Sequence, residues 1–354
     1  HAGPWRAFEI ASGLLIVTCP CAIGIATPFA YELAHAGLRR AGLFVRADGF
    51  LDRAMDVRRV VFDKTGTLTT GRLVLRDAAP LKELSPERRR VLYNLAARSS
   101  HPKAEAICAA LAGEGVTLDD AFVTTEEPGR GVRSADAYLG APPRASTSGA
   151  PQDPGDVVFV EGGVVRASFE TEEVLRAGAE RDVSALVADG YEAFVLTGDR
   201  EDRAVAVAAC FDIPAGRVVA GADPRAKRAW LEAHDASHTL MIGDGVNDAL
   251  ALEVALCSGT PAVDRPFVAT RADFFFTGAG FEGVRRALRV ARRLRGVVRR
   301  NIGVAIAYNV LTVGLAASGH MSPLLCAVVM PLSSVGLIAL TMRELSAGAK
   351  VWTS

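Results

Sequence analysis

The sequence has 354 residues, which is long enough for two or more domains, and half of these residues are hydrophobic. The 40 acidic residues balance the 40 basic ones, so the formal net charge of zero argues against nucleic acid as a partner. The high hydrophobic share instead favours a protein that combines polar domains with membrane segments.

The first predicted element is an apolar stretch from Ile10 to Ala30, which is long enough to cross a bilayer as one helix. Its middle carries Cys19, Pro20 and Cys21, and the proline interrupts the helical hydrogen bonds between two thiols. Thiolates are soft ligands that favour Cu(I), and polar groups inside membranes commonly line a transport path. The stretch predicts a membrane span with a soft-metal site, although a kinked helix with two buried cysteines would show the same pattern.

A short buried strand is predicted at residues 60–62, and the string Asp63-Lys64-Thr65-Gly66-Thr67-Leu68-Thr69 follows it directly. An aspartate at the carboxyl end of such a strand lies where α/β sheets place reactive groups. The lysine, the threonine hydroxyls and the glycine turn supply a counter-charge and donors for phosphoryl oxygens. The string resembles the phosphorylation motif of P-type ATPases, ion pumps that form an aspartyl phosphate.

Two further buried strands are predicted at residues 193–196 and 239–242, with helices between the strands. They end in Thr197-Gly198-Asp199 and in a run from Gly243 to Asp248, and a helix that begins at Pro224 lies between them. This alternation predicts a parallel sheet whose strand ends meet at one edge. Alone, the last motif is also typical of a phosphatase. In series, the motifs resemble the haloacid-dehalogenase-type phosphorylation domain of P-type ATPases.

That resemblance assigns a role to each motif. It implies that Asp63 attacks the γ-phosphate of ATP while Thr197 and Lys227 bind the phosphoryl oxygens. The implied catalytic residues are Asp63, Lys64, Thr65, Thr197, Gly198, Asp199, Lys227, Asn247 and Asp248. The implied ligands of a Mg²⁺ ion are Asp63, Thr65, Asp244 and Asp248.

The region after the first motif resembles the nucleotide-binding domain of heavy-metal (CPx-type) P-type ATPases. A His-Pro pair resembles the motif whose imidazole meets adenine, and a Gly-x-Gly pattern resembles the one that leaves room for the nucleotide. The implied nucleotide-binding residues are His101, Pro102, Glu127, Gly129 and Gly131. Two features depart from the family pattern: Ala96 replaces a commonly acidic residue, and residues 140–155 are predicted to form a disordered loop.

Near the end of the chain, an arginine-rich segment at 281–300 precedes two apolar segments, Ile302–Ser318 and Leu324–Met342. Because the arginines lie directly beside an apolar segment, they mark the cytosolic side of a membrane rather than a nucleic-acid site. Polar residues in these segments match the metal-binding spans of Cu(I)-transporting relatives, although they would also suit hydrogen bonds between helices. These residues are Tyr308, Asn309, Met330, Ser333 and Ser334.

No Asp, Glu, Lys or Arg occurs between Ile302 and Thr341. Zinc- and cadmium-type relatives are expected to have a Lys and an Asp in these spans, so the resemblance favours Cu(I), with Ag(I) as an alternative ion. Pro331, directly after Met330, departs from the family pattern.

The predicted fold is an α/β haloacid-dehalogenase-like phosphorylation domain with an inserted α+β nucleotide-binding domain and three transmembrane helices. The predicted segments, in order, are a metal-binding span at 1–36, a cytosolic connector with the first part of the phosphorylation domain at 37–71, the nucleotide-binding domain at 72–155, the second part of the phosphorylation domain at 156–282, a basic connector helix at 283–300, two spans at 301–343 and a tail at 344–354.

The resemblance implies ATP-driven export of Cu(I) by a multi-pass protein of the bacterial inner membrane, with residues 37–300 in the cytosol. The implied partners are ATP, Mg²⁺, the metal ion, the lipid bilayer, a soluble copper chaperone, and an N-terminal portion with an actuator domain. The Thr-Gly-Glu tripeptide of that domain does not occur in this sequence. We therefore expect this chain to be a fragment that does not complete the full turnover.

Three alternatives stay open at this stage. The first is a membrane-tethered haloacid-dehalogenase-type phosphohydrolase that moves no metal. The second is a Zn(II)- or Cd(II)-transporting P-type ATPase. The third is a membrane copper-binding protein without enzyme activity, which the intact set of motif residues makes the weakest of the three.

Overall fold

The computed structural model describes residues 3–19, 21–112, 115–127, 129–142, 156–234, 236–244, 247–262 and 272–346, together with Trp352. For residues 21–23 it describes the backbone alone. The chain divides into two compact units, one formed by His1–Thr67 with Ala177–Ser354 and the other by Leu68–Arg176. The loop predicted at 140–155 lies almost entirely outside the described residues.

The described strands, in chain order, are β1 (Leu43–Val45), β2 (Arg59–Phe62), β3 (Thr69–Leu75), β4 (Thr125–Glu127), β5 (Gly131–Ser134), β6 (Ala137–Gly140), β7 (Val157–Glu161), β8 (Val164–Phe169), β9 (Thr171–Leu175), β10 (Glu192–Leu196), β11 (Val218–Val219), β12 (Thr239–Ile242), β13 (Cys257–Pro261) and β14 (Phe274–Phe276). The described helices are α1 (Pro4–Val17), α2 (Cys21–Arg40), α3 (Phe50–Ala54), α4 (Ala79–Glu83), α5 (Pro86–Ala96), α6 (Pro102–Ala112), α7 (Ala179–Ala188), α8 (Glu201–Ala209), α9 (Pro224–Ala233), α10 (Ala249–Val254), α11 (Glu282–Ala317) and α12 (Pro323–Leu345).

Within the described part of the chain, the first unit is built on a seven-stranded sheet in the order β1-β14-β13-β12-β2-β10-β11. Its neighbouring strands run parallel except at one edge, where β1 pairs with β14 in antiparallel fashion. Val60, Val61 and Phe62 of β2 are fully buried, as expected for a central strand that is covered on both faces. The predicted α/β fold with a parallel sheet is confirmed.

The described residues of the second unit form a five-stranded antiparallel sheet, β4-β5-β6-β7-β8, and the separate strand pair β3-β9. Leu92 and Ile107, from helices α5 and α6, share one buried core with Phe159 and Phe169 from the larger sheet. The domain boundary predicted at residue 156 differs from the structure. Because β7 pairs with β6, the hairpin of β7 and β8 belongs to the inserted unit.

Among the described residues, two helices are long and apolar enough to cross a membrane, namely α11 and α12. The predicted count of three spans is not confirmed, because the stretch from Ile10 to Ala30 is divided between two helices. α1 ends at Val17 and α2 begins at Cys21, as expected beside a proline that has no amide hydrogen to donate. The predicted connector at 283–300 and the span after it form one continuous helix, α11.

The start of α11 is anchored to the sheet of the first unit. The ring of Phe281, the residue before the helix, packs edge-on against Phe62 at the end of β2, with 5.0 Å between the ring centroids. A carboxylate oxygen of Asp182 in α7 accepts hydrogen bonds from the backbone N–H groups of Phe281 and Glu282, at 2.8 and 3.0 Å. The first turn of this long helix is therefore held both by aromatic packing and by a capping side chain.

Candidate active site

Three neighbouring strands end where the chemical motifs begin. Asp63 follows β2, and its backbone N–H extends the sheet by donating to the carbonyl oxygen of Ile242 in β12 at 2.8 Å. Thr197 follows β10, and its N–H donates to the carbonyl oxygen of Val219 in β11 at 2.9 Å. Since β12, β2 and β10 are adjacent and parallel, the residues after them meet at one edge of the sheet.

Lys227 lies at the centre of this edge. This residue is only 3% exposed, and its Nζ donates hydrogen bonds of 2.6 Å to Oδ1 of Asp63 and to Oδ1 of Asp248. One buried ammonium group therefore holds two carboxylates that would otherwise repel each other.

The charges around Lys227 shift the pKa values of Lys227 and Asp63. Burial and the negative charge of Asp248 raise the pKa of Asp63, and the ammonium of Lys227 offsets this rise only in part. Burial alone would lower the pKa of Lys227, but Asp63 and Asp248 raise it above its usual value. The lysine therefore stays charged, and the remaining excess of negative charge favours the binding of a cation.

A second ion pair joins the ends of β2 and β10. Lys64 is 3% exposed, and its Nζ lies 2.7 Å from Oδ2 of Asp199. Burial would raise the pKa of Asp199, but hydrogen bonds from Lys64 and from the Arg200 backbone hold it below its usual value. The Asp199 N–H also donates to Oγ1 of Thr197 at 3.2 Å. Lys64 thus fixes the Thr197-Gly198-Asp199 turn in place.

Two glycines allow acidic side chains to approach the backbone closely. Gly66 has a φ of +73°, and a Cβ atom at this position would lie 3.0 Å from Oδ2 of Asp244. A Cβ atom on Gly243 would lie 2.5 Å from Oδ2 of Asp248. Glycine at position 66 therefore brings the Asp244 carboxylate beside the turn that follows Asp63.

The carboxylates at this edge suit a magnesium ion. Asp63, Asp244 and Asp248 supply oxygen ligands, which hard cations prefer. Among the described residues, no group of three or more His, Cys, Asp or Glu side chains is placed to hold a metal ion by itself. A protein commonly holds Mg²⁺ through one or two carboxylates, while water and substrate phosphates complete the coordination shell. The donor set therefore fits a Mg²⁺ ion that binds together with ATP.

The remaining predicted catalytic residues border the same edge. Thr65, Gly198 and Asn247 are exposed, whereas Thr197 is buried. The exposed residues are accessible to a ligand that approaches from solvent, and the buried threonine supports the turn from inside.

Asp223 is a positioning residue that was not predicted from the sequence. Its carboxylate caps α9 by accepting the N–H of Ala226 at 2.8 Å, one turn before the buried lysine. The signal was present in the sequence, because an Asp directly before a Pro is typical of a helix start.

The predicted nucleotide-binding residues lie in the second unit. His101 is exposed before the first turn of α6, and Pro102 is the first residue of that helix. The backbone N–H of Lys103 donates to Nδ1 of His101 at 3.2 Å. This hydrogen bond assigns the ring hydrogen to Nε2, so Nε2–H is the donor that the imidazole offers to a ligand.

The glycine pattern of this unit has a packing reason as well. A Cβ atom on Gly131 would lie 2.2 Å from the carbonyl oxygen of Leu139, because Gly131 pairs with Gly140 in the adjacent strand. Gly129 has a φ of +72° and open space at its Cβ position. The carboxylate of Glu127 accepts a hydrogen bond from Nε of Arg133 at 2.9 Å. Sheet packing therefore accounts for Gly131, while Gly129 leaves space beside the backbone.

The two cysteines of the predicted metal site lie at the break between α1 and α2. Cys19 is disulfide-bonded in this structure, and the side chain of Cys21 is outside the described residues. The thiolate is the form of cysteine that binds metals, so metal binding by Cys19 requires reduction of this bond.

The other predicted metal ligands lie on the two apolar helices. Ser333 and Ser334 both donate hydrogen bonds to the backbone carbonyl of Met330, at 2.7 and 3.3 Å. The hydroxyl of Tyr308 is buried and has no hydrogen-bond partner in the described ranges, and Asn309 follows it on α11. The two serine hydroxyls therefore bind the backbone of their own helix, whereas the tyrosine hydroxyl makes no such hydrogen bond among the described residues.

Comparison with known proteins agrees with this geometry. The sequence model of the family described as haloacid dehalogenase-like hydrolase matches residues 57–255. The nitrogen fixation protein FixI of Rhizobium leguminosarum bv. viciae is 34% identical over 96% of this chain and 45% of its own length. The cation-transporting P-type ATPase B of Mycobacterium tuberculosis (strain ATCC 25618 / H37Rv) is 32% identical over 99% of this chain and 49% of its own length. The probable copper-exporting P-type ATPase V of the same strain is 28% identical over 97% and 47%.

Solved structures show the same fold. A zinc-transporting PIB-type ATPase in the E2.Pi state aligns with a TM-score of 0.79 and 24% identity, covering 93% of this chain and 56% of that one. The catalytic domain of the CPx-ATPase CopB-B aligns with a TM-score of 0.58 and 23% identity, covering 73% and 98%. This chain spans about half the length of the curated relatives it matches. Its homologues include P-type ATPases, and the chain itself belongs to the haloacid dehalogenase-like hydrolase family.

Proposed function

We propose that this chain belongs to an ATP-driven pump for a soft monovalent metal ion, namely Cu(I). It forms the phosphorylation domain, the nucleotide-binding domain and part of the membrane domain of that pump. The observation that carries the proposal is the bridge from Lys227 to Asp63 and Asp248, at hydrogen-bond distances of 2.6 Å. A nucleophilic carboxylate that is buried beside a fixed ammonium is suited to attack a phosphoryl group.

In this proposal, an Asp63 oxygen forms a bond to the γ-phosphorus of ATP while the bond to the ADP oxygen breaks. The reaction yields an aspartyl phosphate and ADP, as balance requires. Lys227 favours the ionised form of Asp63 and offsets the charge that grows on the phosphoryl oxygens. The ion pair of Lys64 and Asp199 holds the Thr197 turn against the same edge. Asp63, Asp244 and Asp248 would hold a Mg²⁺ ion, which would supply positive charge to neutralise the phosphate groups.

The choice of Cu(I) rests on the chemistry of the apolar helices. Between Ile302 and Thr341 the sequence has no carboxylate and no Lys or Arg, so a divalent ion would lack neutralising hard ligands there. Sulfur ligands from Cys19, Cys21 and Met330 suit a soft monovalent ion, and Ag(I) shares that preference. The name of one relative, a probable copper-exporting ATPase, supports the same choice.

The same proposal places the chain in the bacterial inner membrane with residues 37–300 on the cytosolic side. The arginines of α11 that precede its apolar part support this orientation. In the nucleotide-binding unit, the proposed ligands of ATP are His101, Pro102, Glu127, Gly129 and Gly131. A soluble copper chaperone and an actuator domain are the proposed protein partners.

Phosphorylation tests the proposal directly. With Mg²⁺ and labelled ATP, we expect an acid-stable, hydroxylamine-labile acyl phosphate that is absent from Asp63→Asn. Asp202→Asn is the matched control, because Asp202 is exposed and pairs with exposed Arg200 at 3.1 Å. Equal labelling of Asp63→Asn and the parent would show that another residue is the nucleophile.

Metal dependence separates the pump from its rivals. In the complete protein, Cu(I) under reducing conditions should stimulate ATP turnover more than Zn(II) does. Stronger stimulation by Zn(II) would favour a zinc-type pump. Release of phosphate from simple phosphate esters, without any effect of metal, would favour a membrane-tethered phosphohydrolase.

A further inference from the structure

A second charged site lies between α7 and the start of α11, and it shares no residue with the active-site edge. It is a cavity of about 210 Å³ with an almost wholly charged lining. The charged lining residues are Arg181, Asp182, Glu282, Arg285, Arg286 and Arg289. Four guanidinium groups and two carboxylates leave the lining with two net positive charges, so the cavity attracts anions.

The lining carboxylates have other roles in the fold. Asp182 is only 4% exposed, and one of its oxygens accepts the two backbone N–H groups that begin α11. Glu282 pairs with Arg286 one helical turn later. The other oxygen of Asp182 accepts from Nε and Nη2 of Arg181 at 3.3 Å, and Asp189, which lies outside the lining, pairs with Arg285. With this third carboxylate counted, the four arginines keep an excess of one positive charge.

One of these arginines, Arg285, is also held in place before any ligand arrives. Nε and Nη2 of Arg285 donate to the carboxylate of Asp189 at 2.7 and 3.1 Å. A guanidinium group has five N–H donors, so this bidentate pair orients Arg285 and leaves donors for a second acceptor. The side chains of Arg285 and Arg286 are 28% and 26% exposed, so both are partly enclosed by their surroundings. The entropy cost of ordering them around an incoming anion would therefore be small.

The size and the location of the cavity define the ligand class. Pockets for drug-sized molecules are usually about 300–1,000 Å³, so a cavity of this volume suits a smaller anion. Arginine forks match the oxygens of phosphate groups. Arg289 precedes Ile302, where the apolar part of α11 begins, by 13 residues, a rise of about 20 Å along the helix. A lipid headgroup at that membrane surface would not reach the cavity.

We propose that the cavity between α7 and α11 binds a soluble phosphate anion, of the size of inorganic phosphate or pyrophosphate. Such an anion bridges Arg181 on α7 and the lining arginines of α11, which are Arg285, Arg286 and Arg289. It would strengthen the junction between the sheet that carries the nucleophile and the long apolar helix. The site is independent of the metal that the chain transports and of its catalytic activity.

Calorimetric titration of the purified full chain in detergent tests this proposal, with pyrophosphate and phosphate as separate probes. EDTA is present so that no divalent ion brings the anion to the active site. We expect the double variant Arg286→Gln/Arg289→Gln to bind pyrophosphate at least tenfold more weakly than the parent. Arg299→Gln is the control for the loss of positive charge from the same helix: it removes one charge at an exposed position and should bind like the parent.

Two further variants keep the result unambiguous. Lys227→Gln removes the phosphoryl-binding ammonium of the active site, and pyrophosphate binding should persist in it. Arg286→Lys keeps the charge but loses the fork, so its affinity should fall between those of the parent and the double variant even if the double variant folds poorly. Unchanged binding in Arg286→Lys and in the double variant would overturn the proposal, as would loss of binding in Lys227→Gln.

A further titration, with a lipid as the probe, distinguishes a soluble phosphate from a lipid headgroup. Soluble short-chain phosphatidic acid is titrated under the same conditions, and we expect it to bind no more tightly than inorganic phosphate. Tighter binding of the lipid, removed by Arg286→Gln/Arg289→Gln, would assign the cavity to a membrane headgroup and overturn the proposal. Absence of binding by any of the three probes would show that the arginines only join the two helices.

Discussion

Lys227 donates a hydrogen bond of 2.6 Å from Nζ to Oδ1 of Asp63, although 164 positions separate the two residues in the sequence. The same nitrogen binds Asp248 at an equal distance. The lysine opposes the rise in the pKa of Asp63 that burial and Asp248 cause, and it fixes the direction of the carboxylate. Both effects are needed if Asp63 is to act as a nucleophile.

Removal of the Lys227 ammonium should slow phosphorylation far more than removal of a neighbouring surface charge does. We expect Lys227→Gln to lower the rate of acyl-phosphate formation by about 100-fold or more, the usual cost of losing one donor to a developing oxyanion. The rate is measured by rapid-quench labelling with ATP. Arg228→Gln is the control, because Arg228 is the next residue and contacts exposed Glu232 at 2.9 Å.

A similar loss in Lys227→Gln and Arg228→Gln would point to damage of α9 rather than to a role at Asp63. Thermal unfolding of both variants separates these explanations. Only the buried lysine should show a lowered midpoint, since its loss leaves two carboxylates facing each other.

The pair of Lys64 and Asp199 should contribute through position rather than through contact with phosphate. Asp199→Asn replaces the charged partner of the buried Lys64 ammonium by a neutral amide, and we expect a loss of about 1–3 kcal/mol in the free energy of unfolding. Denaturant titration of the detergent-solubilised chain measures it. Asp202→Asn, at a position whose ion pair is on the surface, should change little. Equal stability of Asp199→Asn and Asp202→Asn would contradict a structural role for this ion pair.

Gly66 provides a test of the proposed Mg²⁺ site. In Gly66→Ala the added methyl group would meet Oδ2 of Asp244 at 3.0 Å, so we expect the apparent Mg²⁺ affinity in phosphorylation assays to fall by about tenfold, as for disturbed metal sites generally. Gly49→Ala is the matched control, because Gly49 has a φ of +75° and nothing within 4 Å of the Cβ position.

Both alanine variants place a side chain at a positive φ and should lose about 1–2 kcal/mol of stability for that reason. The Mg²⁺ titration therefore isolates the contact with Asp244. An identical Mg²⁺ dependence in Gly66→Ala and Gly49→Ala would show that Asp244 does not serve the ion.

Copper binding should depend on reduction and on Met330. With the Cys19 disulfide reduced, copper-edge X-ray absorption should show only sulfur neighbours, and Met330→Leu should remove one of them. Met342→Leu is the control, because Met342 lies on the same helix, is 45% exposed and follows the predicted site by three turns. Loss of the same sulfur signal in both variants, or in neither, would exclude Met330 as a ligand.

The central sheet and its reactive edge could be predicted from the sequence because each strand, and the motif after it, is visible in a short run of neighbouring residues. Buried runs such as Val60 to Phe62 predict strands, and parallel strands place the residues after them at one edge. The partner of Lys64 could not be predicted in this way, because a lysine beside a nucleophile suits either a phosphate or a carboxylate. Only the relative placement of β2 and β10 shows that Asp199 is that partner.

Two boundaries could not be predicted from the sequence: the end of the inserted domain and the division of the first apolar stretch. A hairpin at residues 157–169 is equally compatible with either domain, and the choice depends on whether β7 meets β6, a pairing distant in sequence. The division of the first apolar stretch results from one proline, whose effect ranges from a kink to a full break. The cavity between α7 and α11 left no local signal at all, because its arginines come from two separate segments, one at position 181 and the other at positions 285–289.

The single helix α11 has a mechanical consequence. Its 36 residues form a rod of about 54 Å, and Phe281 at its base touches Phe62, the residue next to the proposed nucleophile Asp63. A tilt of about 10° at that base would move the far end by about 9 Å, more than one and a half helical turns. A displacement at β2 that is too small to break any hydrogen bond there would therefore be amplified, by leverage alone, into a shift at the far end of α11 that is large enough to expose or cover the proposed ion.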